Sequence, residues 1–202
     1  MRITVLGASG GTGVKVVELA RAAGHEVTAV VRTRNGRDTV ADVMDPDSIG
    51  PHVAGADAVV SAIGSRAARK PTTVQEDSTR SVLLAMRAHD VRRLVVISNS
   101  GMVVDGDGPV VRHLVKPVLR RVLEHPWADM ARMERVVRAS GLEWTIVRPP
   151  RLTDGPRTDA FRTAVDTNVR GGMTVSRADV AALVLRCLVD PGTVGRAISL
   201  AD

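Results

Sequence analysis

The stretch VLGASGGTG, residues 5–13, sets Gly7, Gly10 and Gly13 at three-residue intervals directly after the apolar run Ile3-Thr4-Val5-Leu6. A β-branched run that ends in glycines and then turns helical is a strand–turn–helix unit. Glycines let the backbone turn tightly and approach a ligand, and the helix that follows presents its free N–H groups to a diphosphate. The spacing is G-x-x-G-x-x-G rather than the G-x-G-x-x-G of many dehydrogenases, and the Lys-Ser/Thr of a nucleoside-triphosphatase loop is missing. Ser9 and Thr12 add hydroxyl donors. A glycine turn without a ligand is the plain alternative. At the head of a βαβ unit the pattern favours dinucleotide binding by Gly7, Ser9, Gly10, Gly11, Thr12 and Gly13.

Further along, strand-like runs alternate with helical patterns. RITVLG (2–7) reads as a strand and GVKVVELARAAG (13–24) as a helix, with Val14, Val17 and Leu19 on its apolar side and Gly24 as its stop. EVTAVVR (26–32) is a second strand, TVADV (39–43) a short third, and Asp45-Pro46 starts a helix. ADAVVSAIG (56–64) is the fourth strand, residues 71–90 a long helix and RRLVVISNS (92–100) the fifth strand. Residues 108–140 read as mostly helical with breaks at Pro117 and Pro126. LEWTIVRPP (142–150) is a sixth strand, residues 176–190 a capped helix, and RAISLA (196–201) closes the sheet. The alternation predicts an α/β fold, a single Rossmann domain over 1–202 with a doubly wound, mostly parallel sheet and helices on both faces.

The end of the second strand indicates which dinucleotide such a loop serves. An Asp or Glu there holds the NAD ribose hydroxyls, whereas this chain reads VVRTRNGR, with Arg32, Arg34 and Arg37 and no acid. An acid would repel a 2′-phosphate and a guanidinium takes one bidentately. The expected cofactor is therefore NADP(H), with Arg32 as first choice and Arg34 or Arg37 as helper; for those two, a solvated surface role stands beside the binding one. Asp42 and Val43 are placed to meet the adenine, and Ala62, Ile63 and Gly64 to pass beneath the adenosine and bridging phosphates.

Composition narrows the partners. A net charge of +6 raises nucleic acid, but the basic residues are interspersed with 22 acidic ones, and Tyr 0, Phe 1 and Trp 2 leave little to stack on bases. No apolar stretch approaches the roughly 18 residues that span a bilayer, so neither nucleic acid nor membrane is an expected partner. One cysteine, Cys187, excludes an internal disulfide, and with no export signal the expected compartment is a reduced cytoplasm. The five histidines lack metal-ligand spacing, so no metal is expected. Met130, Met133 and Val137 fall at helical spacing and read as core. Arg66, Arg69 and Lys70, ahead of PTTV, can attract anionic substrates or belong to a solvated loop.

GASGGTG, DAVVSAIGS, PTTV, AMRAHDVRRLVVISNS, RMERVVRASGLEWTIVRPPRLTDGP and RADVAALVLRCL occur in order along nearly the whole chain. In these motifs the sequence resembles the atypical short-chain dehydrogenase/reductases that bind NAD(P)H (the NmrA-like family), and most of all the biliverdin reductase B and NADPH-dependent flavin reductase group. PTTV and the Pro-Pro pair are the more specific parts. The resemblance implies a monomeric NADPH-dependent reductase of flavins or other conjugated small molecules. It places Pro149 and Pro150 by the nicotinamide and Ser100 at the reaction site.

The residues bear on the chemistry independently. There is no tyrosine, so the Tyr-x-x-x-Lys acid/base pair of mainstream short-chain dehydrogenases cannot exist, and alcohol–ketone interconversion loses its proton donor. Flavin reduction asks mainly for orientation, since its proton can come from water. Ser98, Asn99 and Ser100 end the fifth strand, where open α/β sheets bind ligands; Ser100 can bond a substrate, or the three can be a plain turn. The resembled group has a histidine after Pro-Pro where this chain has Arg151. An arginine cannot exchange protons near neutral pH but can hold an anion such as a flavin phosphate, or it can sit on the rim with no role. Ser100 and Arg151 are the candidate catalytic residues. The reading is an NADPH reductase with a flavin or quinone-like acceptor; the alternative is a non-catalytic NADP(H) sensor of the NmrA type.

Overall fold

The computed structural model describes residues 1–33, 36, 38–65 and 70–202. In chain order its elements are β1 (Arg2–Leu6), α1 (Gly11–Ala22), β2 (Glu26–Val31), β3 (Thr39–Val40), α2 (Pro46–Val53), β4 (Ala58–Ser61), α3 (Val74–Ala88) and β5 (Arg93–Ile97). There follow α4 (Lys116–Val122), α5 (Glu124–Arg138), β6 (Glu143–Arg148), β7 (Arg151–Thr153), β8 (Arg162–Val165), β9 (Thr174–Ser176), α6 (Arg177–Val189) and β10 (Arg196–Ala201). The strands that the sequence marks most clearly are β-branched runs because both of their faces are buried.

Eight strands form one sheet in the order β3-β2-β1-β4-β5-β6-β10-β8. All its pairings are parallel except β10 with β8. Strand alternation sends successive side chains to opposite faces. Val5, Ala29, Val60, Val95 and Val147 pack with α1 and α6, and Leu6, Val30, Val59, Leu94 and Ile146 with α2, α3 and α5. This is the α/β Rossmann fold that the alternation predicts. The order reverses between β1 and β4, whose last residues, Leu6 and Ser61, stand side by side. Ligands of open α/β sheets bind at such a switch point.

Several boundaries differ from expectation, each for a local reason. RAISLA does not close the sheet: β8 pairs antiparallel outside it, with Ile198 opposite Val165. β8 is an exposed edge strand, and β7 and β9 form a separate parallel pair, so none of the three carries a long apolar signature. The helix over 108–140 breaks at Leu123, not at its prolines. Pro126 sits in the first turn of α5, where a missing N–H costs nothing, and Pro117 directly follows a π-helical stretch, Val111–Val115, in a run that stays helical into α4. The fourth strand stops at Ser61 and the third at Val40, leaving Ala62–Gly64 and Asp42–Val43 in loops. Helix α1 begins at Gly11, so its buried face is Gly13, Val16, Val17 and Ala20, and Val14 is exposed. Met133 and Val137 are fully buried, as their spacing predicts, and Met130 is half-buried.

Candidate functional site

The glycine turn owes its shape to missing side chains. Gly7 adopts φ +75°, and a Cβ on it would stand 2.7 Å from the Ala62 carbonyl oxygen. A Cβ on Gly13 would stand 2.2 Å from the Gly7 oxygen. The loop is closed by the Gly10 N–H donating to the Gly7 carbonyl at 3.0 Å. Gly10 is the N-cap of α1 and has no side chain to occupy the first-turn N–H groups, so the helix offers them to a ligand. Ser9 is exposed, and Thr12 is half-buried in the first helical turn. This corner fits a diphosphate: a backbone cradle that a Cβ would fill, next to an uncapped helix N-terminus.

The flanking candidates fall around the same corner. Ala62 lies against Gly7 and its N–H donates to the Leu6 carbonyl at 2.9 Å. Gly64 is exposed with open space beside it, and Ile63 and Val43 pack half-buried against one apolar cluster. The Asp42 carboxylate accepts the Met44 N–H at 2.9 Å, so it shapes its own turn. Arg32 is exposed directly after β2, and no carboxylate among the described residues pairs with it. Arg34, Arg37, Arg66 and Arg69 lie outside the described residues; Lys70 is exposed.

At the far side, beyond the C-terminal ends of β5 and β6, a cavity of about 450 Å³ opens. Ser100, Pro150 and Arg151 all line it. The Ser100 N–H donates to the Pro149 carbonyl at 2.9 Å, tying the two predicted segments together. Arg151 is exposed at the rim, and no carboxylate among the described residues pairs with it. Ser98 is engaged elsewhere: its hydroxyl donates to buried Glu134 at 2.8 Å. Glu134 also accepts from Arg148 at 2.9 Å, so a buried ion pair underlies the floor of this region. Much of the remaining wall is apolar, from Val111, Val115, Leu119 and Trp127.

Two groups of residues that the sequence does not flag shape these places. Lys116, at the start of α4, is buried and forms an ion pair with Asp107; its ammonium also donates to the Val103 carbonyl and, at 3.3 Å, to that of Ser100. Two carbonyls and one carboxylate thus hold the Lys116 ammonium, and through it the loop. Asn168 joins it, its amide nitrogen sharing two N–H bonds among the carbonyls of Ser100 at 3.2 Å and Val103 at 2.7 Å and the Asp107 carboxylate at 3.0 Å. No motif spacing links positions 107, 116 and 168, and only folding brings them together.

The second is Arg177, whose Nε stands 2.8 Å from where a Cβ on Gly11 would be. Its guanidinium pairs with Asp154. Asp179 sets that arrangement, accepting N–H bonds from Thr158 and Asp159, both at 2.9 Å, and hydroxyls from Thr158 and Ser176. Burial raises the Asp179 pKa, but these donors outweigh it and hold the carboxyl below the usual aspartate value. An arginine against α1's N-terminus and a basic Arg32 make the corner electropositive, which suits an anionic ligand. Cys187 is buried in α6, and burial pushes its thiol up to about 11, which keeps it protonated and unreactive.

The geometry can be set beside known proteins. Residues 7–191 match a family described as NAD(P)H-binding. The Bacillus subtilis protein YhfK, named an uncharacterized sugar epimerase, is 27% identical over 216 residues, covering 100% of this chain and 94% of its own. A Streptococcus pneumoniae protein with the provisional name NADH-flavin reductase shares the fold with a TM-score of 0.76 at 24% identity, covering 100% of this chain and 99% of its own. A short-chain dehydrogenase/reductase of Veillonella parvula, solved in complex with NADP, does so with a TM-score of 0.78 at 17% identity, covering 100% and 94%.

Proposed function

The chain belongs to the NAD(P)H-binding family, and on that premise we propose that it is an NADPH-dependent reductase of a flavin, quinone-like or other conjugated acceptor held in the cavity behind Ser100 and Pro150. The observation that carries this is the convergence of Ser100, Pro150 and Arg151 on one cavity of about 450 Å³, within the range of small-molecule sites. When bound, a reduced nicotinamide supplies a hydride. The protein's part is placement. The Gly7–Gly13 turn and the α1 N-terminus hold the diphosphate, with Arg32 for the 2′-phosphate. The Pro149-Pro150 backbone, tied to Ser100, fixes the floor between cofactor and acceptor. Apolar walls from Val111, Val115 and Trp127 exclude water from a flat ring system, and Arg151 meets an acidic substituent at the rim.

The name borne by YhfK suggests carbohydrate chemistry, which would require a base beside a hydroxyl. No tyrosine exists in the chain to supply one, and Lys116 is held by two carbonyls and the Asp107 carboxylate. The lack of tyrosine favours, as a second reading, an NADP(H) sensor that binds without turnover. Mixing the protein with NADPH and FMN, riboflavin or a soluble quinone separates the two. Accelerated loss of the reduced-nicotinamide absorbance is the expected result. Tight NADPH binding with no turnover across the panel would assign the sensor role instead.

A further inference from the structure

Residues 109–123, PVVRHLVKPVLRRVL, contain four basic residues and no acid. The segment is helical through a π-helical stretch, Val111–Val115, and then α4. It has two apolar faces. Val111, Val115 and Leu119 line the cavity, whereas Val110, Leu114 and Val118 are 64%, 67% and 63% exposed. Their i, i+4, i+8 spacing makes a continuous outward stripe. Arg112, His113, Arg120 and Arg121 on the same segment are all exposed, and no carboxylate among the described residues pairs with the three arginines.

We propose that this segment docks the protein on an anionic phospholipid surface. An exposed apolar helical stripe on a segment rich in exposed cations is the pattern of a helix lying in the headgroup boundary, with its aliphatic side chains in the acyl region and its arginines reaching phosphates. At 15 residues (109–123) it is too short to span a bilayer, so the lack of a spanning run does not bear on it. A second copy of the chain suits the stripe poorly. A two-fold contact would set the same surface against itself and bring its arginines together. Because the other side of the segment walls the cavity, docking would place that cavity next to lipid.

Co-sedimentation of the full-length chain with vesicles tests this without cofactor or acceptor, so failure of the reductase reading would leave the result intact. The protein should pellet with phosphatidylglycerol–phosphatidylcholine vesicles and not with phosphatidylcholine alone. Raised salt should weaken binding. Leu114→Ser with Val118→Ser keeps the charge and alters only exposed positions; it should weaken binding at least about tenfold while the circular dichroism spectrum and thermal midpoint stay those of the parent. Removing Arg120 or Arg121 to alanine should each cost about fivefold. Failure of the parent protein to pellet with anionic vesicles overturns the proposal. So does parental binding by the double serine variant, which would make overall charge the driver. Self-association that the double serine variant abolishes, without vesicle binding by the parent, assigns the stripe to a second copy and overturns it too.

Discussion

At the scale of single residues, the sharpest expectation concerns Arg32. Exposed after β2 and without a carboxylate partner among the described residues, it has little to lose structurally, so Arg32→Ala should leave stability unchanged. It should raise the Kd for NADPH by roughly ten- to a hundredfold, the worth of a charge-assisted hydrogen bond, and leave NADH nearly untouched. Equal losses for both cofactors in a titration would sink the 2′-phosphate assignment. The glycines offer a contrast between two costs. At Gly24, with φ +79° and nothing within 4 Å of a Cβ, Gly24→Ala should cost about 1 kcal/mol of conformational strain. At Gly13 a Cβ would meet the Gly7 carbonyl oxygen at 2.2 Å. Gly13→Ala should therefore cost more, about 2–3 kcal/mol by urea denaturation, and weaken dinucleotide binding as the turn opens. The glycine spacing shows in the sequence that the turn is tight; only the folded structure separates Gly13, where a side chain collides, from Gly24, where it is strained by torsion.

At the scale of elements, two buried polar clusters hold the loops that carry the site. The Lys116–Asp107 pair anchors the chain from Ser100 to Val103 beneath the cavity. Lys116→Met would leave the Asp107 carboxylate buried without its countercharge, at a cost of about 3–5 kcal/mol. Adding Asp107→Asn should recover part of that loss in denaturant unfolding, because the charge is then gone and Asn168 can still donate. No recovery would mean that the lysine matters by packing alone. Asp179 does the same for the loop that brings Asp154 to Arg177. Its pKa is lowered in the folded chain, with donors from Asp159, Thr158 and Ser176 outweighing burial. Its stabilising effect is therefore complete above the pKa of an unfolded aspartate, ~3.9, and is lost as pH falls through the lower folded value. The stability gap between the parent protein and Asp179→Asn should be wide at neutral pH and narrow in acid. A gap constant down to strongly acidic pH contradicts this role.

At the scale of the whole molecule, binding at the β1–β4 corner should be felt globally, since that corner joins α1, β1, β2 and β4 and lies next to α6. NADPH at a hundredfold excess over its Kd should stabilise the fold by about 2.7 kcal/mol, read as a higher Tm; NADH at the same concentration should give a smaller rise. The sequence by itself determined the alternation of parallel strands and helices and the glycine turn at its head, and it picked out Ser100, Pro150 and Arg151, which the structure brings to one cavity. Strands buried on both faces must be apolar runs, and a turn as tight as Gly7–Gly13 must be glycine, so both leave local patterns. Tertiary structure alone decided the rest. β7, β8 and β9 are short, and β8 is an exposed edge strand, so their stability comes from partners rather than composition. Lys116, Asp107 and Asn168 meet only because the loops after β5 and β8 fold onto one another. In residues 109–123 the apolar positions look alike along the chain, and which of them face the cavity and which face outward depends on where α5 and β10 stand. Periodicity records that a side chain is apolar; burial is a property of its neighbours, and those are brought together by the fold.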